Sequence, residues 1–211
     1  MDAYENTDWA LNSVSVVEVL EGHNDLEQTT SAQQPTFDPL NEIVIFDGTD
    51  DNMVGLPPQS GNFSYVFKGL DITSDETQRF LQDIGADSNI RINNSNIIRV
   101  RDTLNVDSAV TGTDTSGVKD LVFTLESDMF SVYGDGVLQG QLDLTGRSLS
   151  FNALSNTASA LNGSLSELGV YDRALTLEEI EKISGIEPVI FLADGDGNIL
   201  NDGTNDLIIN E

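Results

Sequence analysis

The sequence predicts an all-β protein, a jelly-roll β-sandwich with one short C-terminal helix and a β-hairpin tail. Three observations predict it. Short β-branched and aromatic runs recur with turn signals about every 8–12 residues. A single segment carries both start and stop signals of a helix. The 211 residues are 38% hydrophobic and contain no cysteine, so one ordinary core must hold the fold without disulfides.

In chain order, residues 1–12 are polar and read as an arm or a first short strand, with Trp9 the sole tryptophan. Ser13–Leu20 (SVSVVEVL) is β-branched and partly alternating, the pattern of a strand. A polar stretch, Glu21–Gln34, holds the sole histidine, His23, and leads to a turn framed by Pro35 and Pro39. Asn41–Phe46 (NEIVIF) is an apolar strand closed by the tight turn Asp47-Gly48-Thr49-Asp50-Asp51. Phe63–Phe67 reads as strand; Thr77–Ile84 fits a strand or a short amphipathic helix, the strand being preferred. Asn89–Asn93 and Asn96–Val100 are short strands parted by Asn and Ser, and Asp107–Gly117 reads as a loop. Leu121–Leu125, Met129–Tyr133, Val137–Leu144, Ser148–Phe151 and Ser164–Tyr171 complete the strands.

Thr176-Leu177-Glu178-Glu179 is a capping box, with Leu175 and Ile180 at the staple positions on either side. Gly185 and Pro188 are stop signals, so a two-turn helix is expected over 177–184. Beyond it, short apolar clusters separated by Asp-Gly and Asn turns read as a hairpin tail. The chain thus divides into an arm (1–12), a sandwich (13–185) and a tail (186–211).

Charge excludes more than it identifies. With 36 Asp and Glu against 9 Lys and Arg, the net charge is −27. Non-specific nucleic-acid binding and adhesion to an anionic membrane both need cations that this composition lacks. Such acidity suits high ionic strength, bound divalent cations, or a surface that stays soluble when displayed in many copies. No signal peptide or membrane-spanning run is visible, so production and assembly in the cytosol are expected.

Three segments carry a more specific signal: Phe46-Asp47-Gly48-Thr49-Asp50-Asp51, Ser131-Val132-Tyr133-Gly134-Asp135-Gly136-Val137-Leu138, and Gly163–Ile180 (GSLSELGVYDRALTLEEI). Together and in this order they resemble the laminin-G-like, concanavalin A-like lectin/glucanase superfamily. The first is similar to its FDGxDD strand-turn and the second to its YxDG hairpin. The third is similar to its closing strand and helix with the Tyr-Asp-Arg-Ala-Leu junction. The resemblance implies a concanavalin A-like jelly roll over 13–185. Gln28–Phe37 leading into IVIFDGTDD resembles laminin-G-like domains of phage and marine-bacterial structural proteins. The tail is similar to the DG-punctuated repeats that end phage virion proteins.

Glucanases of this superfamily place acidic residues at alternate positions of one strand, about 5 Å apart in retaining enzymes. No such ExDxE strand occurs here, His23 has no nucleophile at a recognisable spacing, and a non-enzymatic role is expected. Laminin-G-like domains often hold one calcium ion, which takes six to eight oxygen ligands. By motif position the resemblance implies Asp50 and Asp51, with Glu167, as metal ligands. Turn chemistry alone also accounts for the Asp-Gly and Asp-Asp pairs, and the alternative stays open. Asp194, Asp196 and Asn198 have the opening spacing of an EF-hand loop, but Ile199 and Asn205 stand where Gly and Glu are required, so a hairpin turn is expected. Trp9, Tyr4, Tyr65, Tyr133 and Phe130 are the aromatics available for stacking on a sugar, and most lie in strand patterns expected to be core.

The resemblance points to a virion structural protein of a bacteriophage, a capsid-decoration or tail-associated subunit assembled in the host cytoplasm. Its expected partners are other virion proteins and host-surface glycans, and it is expected as a homo-oligomer or in many copies. The arm and tail are the expected attachment elements. The alternative is a calcium-dependent carbohydrate-binding lectin or adhesin on a marine bacterial cell surface.

Overall fold

The computed structural model describes residues 26, 28, 30–57, 59, 61–73 and 76–186. The arm, the Ser13–Leu20 strand and all of the tail beyond Ile186 lie outside the described residues, as do Tyr4, Trp9, His23 and the Asp194–Asn198 segment.

The first strands are β1 (Thr36–Asp38), β2 (Ile43–Asp47), β3 (Asn52–Val54), β4 (Phe63–Lys68), β5 (Asp71–Ile72), β6 (Gln78–Gln82), β7 (Asn89–Ile92) and β8 (Ile98–Arg101). There follow β9 (Asp107–Ala109), β10 (Leu121–Glu126), β11 (Met129–Gly134), β12 (Val137–Asp143), β13 (Ala153–Ser155), β14 (Asn162–Leu165), β15 (Glu167–Tyr171) and helix α1 (Leu177–Ile183). They form three antiparallel sheets: β12-β11-β10-β4-β15, β3-β13-β6-β7-β8-β9, and β1-β2-β14-β5. This is an all-β jelly-roll sandwich with one short helix.

The core follows from alternation. On β4, Phe63, Tyr65 and Phe67 point into the sandwich; on β7 and β8, Ile90, Ile92, Ile98 and Val100 do the same from the six-stranded sheet. Edge-to-face rings tie the layers together: Phe80 of β6 packs against Phe67 at 5.3 Å and Phe123 at 5.7 Å. Yet β4 is buried on both faces. Val66 and Val122 turn away from this core and meet Leu175 and Ile180, so α1 covers the back of the five-stranded sheet. Ser64 fixes the entry to the helix: its hydroxyl donates to the Arg173 carbonyl (3.0 Å) and accepts the Leu175 N–H (2.9 Å). The capping box forms as expected, with Thr176 and Glu179 bonding reciprocally.

The Asp135-Gly136 turn between β11 and β12 has φ of 47° and 77°, the left-handed pair a two-residue hairpin requires. Three expectations need correction. Asp107–Gly117 is not all loop, because Asp107–Ala109 pairs with β8 and Asp107 is held there by Arg91 and Arg99. Ser148–Phe151 is not a strand. Ser150 bonds Asp83 through its hydroxyl (2.6 Å), Phe151 enters the core from irregular backbone, and pairing begins only at Ala153. Ser164–Tyr171 is two strands in two sheets. The chain changes sheet at Ser166, whose N–H and hydroxyl both donate to the Lys68 carbonyl (2.9 and 3.1 Å).

Candidate functional site

The FDGTDD turn builds itself from its own polar groups. The Asp47 N–H donates to Asp51 Oδ2 (2.7 Å), while Asp47 Oδ1 accepts the N–H groups of Thr49 (2.7 Å) and Asp50 (3.4 Å). Gly48 has φ +77°, and a β-carbon there would lie 2.8 Å from Asn162 Cβ and Cγ, so both conformation and space require glycine. The result gathers three carboxylates, Asp47, Asp50 and Asp51, whose oxygens lie within 4.8 Å of one another. Asp51 is 4% exposed. Burial pushes its carboxyl up; the Asp47 N–H draws it partly back, and the charges of Asp47 and Asp50 add to the upward push. None of the ion pairs among the described residues includes any of the three. Two like charges at such a distance repel by about 1 to 3 kcal/mol between water-like and protein-surface dielectrics. A divalent cation removes that cost.

The donor set fits calcium in kind. All three side chains offer hard carboxylate oxygen, one is buried, and the turn's own hydrogen bonds leave one oxygen of Asp47 and one of Asp51 uncommitted. The structure brings Asp50 and Asp51 together with Asp47. Glu167 lies elsewhere: it starts β15 and pairs with Lys68 at 3.6 Å. The cause is strand register. Asn162 of β14 faces Asp47, while Leu165 faces Val44, so the chain has run about 10 Å along β2 away from the turn before Glu167 is reached.

Beside the turn lies a groove of about 270 Å³ lined by Gly48, Thr73, Glu76, Gln78, Ser159 and Asn162, among others. Its polar wall is fixed by buried Gln78, whose Oε1 accepts the Asn162 N–H (2.8 Å) and whose amide donates to the Thr73 carbonyl. Hydroxyl, carboxylate and amide groups thus converge next to the carboxylate cluster. Tyr65 and Phe130 are fully buried, and Tyr133 packs on the helix side, so none of these three offers a stacking surface.

Sequence reasoning missed Asp47 as a member of the cluster, although it stands in the same FDGTDD motif. It also missed Gln78. The alternations Ile90-Arg91-Ile92 and Ile98-Arg99-Val100-Arg101 held a further signal: two strands with apolar residues on one face and arginine on the other.

No family model matches the sequence, and no curated protein matches it. Solved structures do match in fold. The ligand-binding domain of botulinum neurotoxin serotype D, in complex with N-acetylneuraminic acid, aligns over 83% of this chain and 52% of that one, with 11% identity and a TM-score of 0.58. A heptameric SAP-like pentraxin from Limulus polyphemus aligns over 67% of this chain and 81% of that one (12% identity, TM-score 0.51). A Trypanosoma rangeli sialidase aligns over 76% of this chain but 29% of that one (16% identity, TM-score 0.53). The chain therefore spans about half the length of the neurotoxin domain and less of the sialidase. At such identities the likeness is one of fold: jelly-roll β-sandwiches.

Proposed function

We propose that this chain is a non-enzymatic attachment module that contacts surface glycans at the acidic turn, with calcium held by Asp47, Asp50 and Asp51. The observation that carries the reading is the juxtaposition of a hydrogen-bonded carboxylate cluster with a polar groove of about 270 Å³. A calcium ion there would bring its own affinity for sugar hydroxyls to the mouth of the groove; Thr73, Glu76 and Ser159 would supply further hydrogen bonds. The sandwich domain crystallised with N-acetylneuraminic acid supports glycan contact as a use to which this fold is put. The test is a glycan array probed with the full chain in calcium and again in EDTA. Selective binding lost in EDTA and in Asp50→Asn/Asp51→Asn supports the reading; equal signals in both buffers, or none, overturn it.

The setting we propose is a virion, as a capsid-decoration or tail-associated protein in many copies beside other virion subunits. This rests on the phage-like lead-in to the FDGTDD motif and on the −27 charge, which keeps closely displayed copies apart. Mass spectrometry of purified particles tests it, and so does a chain lacking 1–12 and 186–211, expected to fold without joining particles. Calcium-sensitive glycan binding by a protein found on the bacterial cell surface, and not in particles, would instead establish the lectin or adhesin reading.

A further inference from the structure

Of nine Lys and Arg in the chain, four stand together on the outer face of the six-stranded sheet. Arg79 of β6 pairs across to Arg91 of β7, which pairs across to Arg99 of β8; Arg101 lies two residues further along β8. Neighbouring strands are about 4.8 Å apart, so the row Arg79–Arg91–Arg99 crosses about 10 Å. Two carboxylates are threaded between them. Asp107 bridges Arg91 and Arg99 (3.3 Å to the latter), and Asp87 bridges Arg79 (3.6 Å) and Arg101 (2.8 Å). Four guanidiniums against two carboxylates leave an excess of two positive charges in a protein of net −27.

Like charges directly opposite one another across a sheet are destabilising, and holding Asp107 of β9 accounts for Arg91 and Arg99 alone. The inward residues Ile90, Ile92, Ile98 and Val100 already define the strands. The donors are also far from used up. A guanidinium carries five N–H groups. Beyond the two carboxylates, the neutral acceptors engaged are Gln82 Oε1 by Arg79 (3.3 Å) and Asn89 Oδ1 by Arg91 (2.8 Å). The Nε–H groups of Arg79 and Arg101 are buried without an acceptor among the described residues, so an incoming anion would meet the Nη–H groups of side chains that are 11–32% exposed.

We propose that this face binds the anionic groups of a carboxylated or sulfated polysaccharide, the guanidiniums of Arg79, Arg91, Arg99 and Arg101 pairing with its carboxylate or sulfate oxygens. Guanidinium matches the planar or trigonal oxygen arrays of these groups through paired N–H bonds. A rigid sheet sets a fixed few-ångström repeat of positive charge, and a linear polymer with a charge on each sugar presents a repeat of the same scale. The net charge of −27 repels any anionic partner at long range, so the pairing rests on the local positive excess of this face. The site is separate from the acidic turn and independent of calcium.

The test is isothermal titration of the full chain, in EDTA, with oligogalacturonate, dextran sulfate and neutral dextran. Binding of at least one anionic polymer but not dextran is expected, and which one binds assigns the group as carboxylate or sulfate. Arg91→Gln/Arg99→Gln should weaken it at least tenfold, while Arg173→Gln, a charge loss elsewhere, changes it less than twofold. Asp107→Asn removes the competing carboxylate and should tighten binding several-fold, a gain that misfolding cannot produce. No binding to either polyanion, equal binding to dextran, or indifference to both the Arg91/Arg99 and Asp107 changes overturns the proposal. Because EDTA is present throughout, these outcomes leave the calcium-dependent reading of the turn to stand or fall separately.

Discussion

At the Asp47–Asp51 turn, three carboxylates converge with backbone N–H groups as their counter-charge, whereas on the outer face of the six-stranded sheet four guanidiniums are interleaved with two carboxylates. The turn concentrates one sign of charge by local hydrogen bonding within five residues. The sheet concentrates the other by register, across the three consecutive strands β6, β7 and β8. Each is left with an excess of one sign, and each excess is opposite to what an incoming ligand would carry. Asp102 and Arg147 show what closure looks like. Asp102 is fully buried, accepts the N–H groups of Leu104 (2.9 Å) and Val106 (2.8 Å), and takes Arg147 Nε at 2.5 Å. Arg147 spends its remaining groups on Ser108 Oγ (3.0 Å) and the Val106 carbonyl (2.7 Å). All three nitrogens of Arg147 and both oxygens of Asp102 have partners, so the pair is structural.

Breaking the closed pair should have the largest effect. Arg147→Met strands a buried carboxylate and is expected to cost about 3–5 kcal/mol in urea unfolding. The pH dependence has a definite sign. Burial pushes the Asp102 carboxyl up, but the Val106 N–H and Arg147 outweigh it and hold the group below its ordinary value. Its contribution is complete above the unfolded value of about 3.9 and is lost as pH falls through the lower folded value. The wild type should therefore lose stability below about pH 4, and Arg147→Met should show a shallower acid limb.

Calcium sharpens the comparison from the other side. If the turn is the site, saturating calcium stabilises the fold by about 2–3 kcal/mol at a hundredfold excess over Kd, read as a rise in Tm reversed by EDTA. Asp51→Asn abolishes that rise. In EDTA the same variant is as stable as wild type or more so, since Asn keeps an acceptor for the Asp47 N–H while one repelling charge is gone. The arginine row answers oppositely. Asp107→Asn removes the charge that separates Arg91 from Arg99 and should cost about 1–2 kcal/mol at low salt, recovered in part at about 0.5 M NaCl.

The difference in construction also decides what the sequence disclosed. The turn, the hairpin at Asp135-Gly136, β4, β10 and the capped helix are local, and each is legible from spacing and turn chemistry alone. Asp50 and Asp51 are legible for the same reason. Glu167 is not brought to the turn, because Ser164–Tyr171 reads as one strand and conceals a change of sheet at Ser166 that only pairing partners reveal. The arginine row needs the register of three strands, with a bulge between Arg79 and Leu81 that no pattern of alternation announces. Phe151 reads as strand because it is apolar, yet its burial comes from a loop anchored by Ser150 and Asn152 on Asp83.

The smallest effects belong to charge that is both matched and exposed. Arg173 holds Glu179 through two bonds of 2.7 and 2.8 Å, and with the Thr176 N–H it draws the Glu179 carboxyl down to about 2. Such a shift would signal a strong contribution in a dry site, but here the two side chains are 52% and 37% exposed, so solvent screens most of it. Two variants separate the shift from its consequence. Thr176→Ala removes the cap and should cost about 1 kcal/mol, because a helix N-terminal N–H loses its acceptor. Arg173→Gln should raise the Glu179 carboxyl clearly in an NMR titration yet move Tm less than Thr176→Ala does. If instead Arg173→Gln lowered Tm more than loss of the cap, exposed pairs in this acidic protein would be carrying stability. The closed pair at Asp102 would then no longer stand apart from the surface, and the contrast between open and closed charge would have to be redrawn.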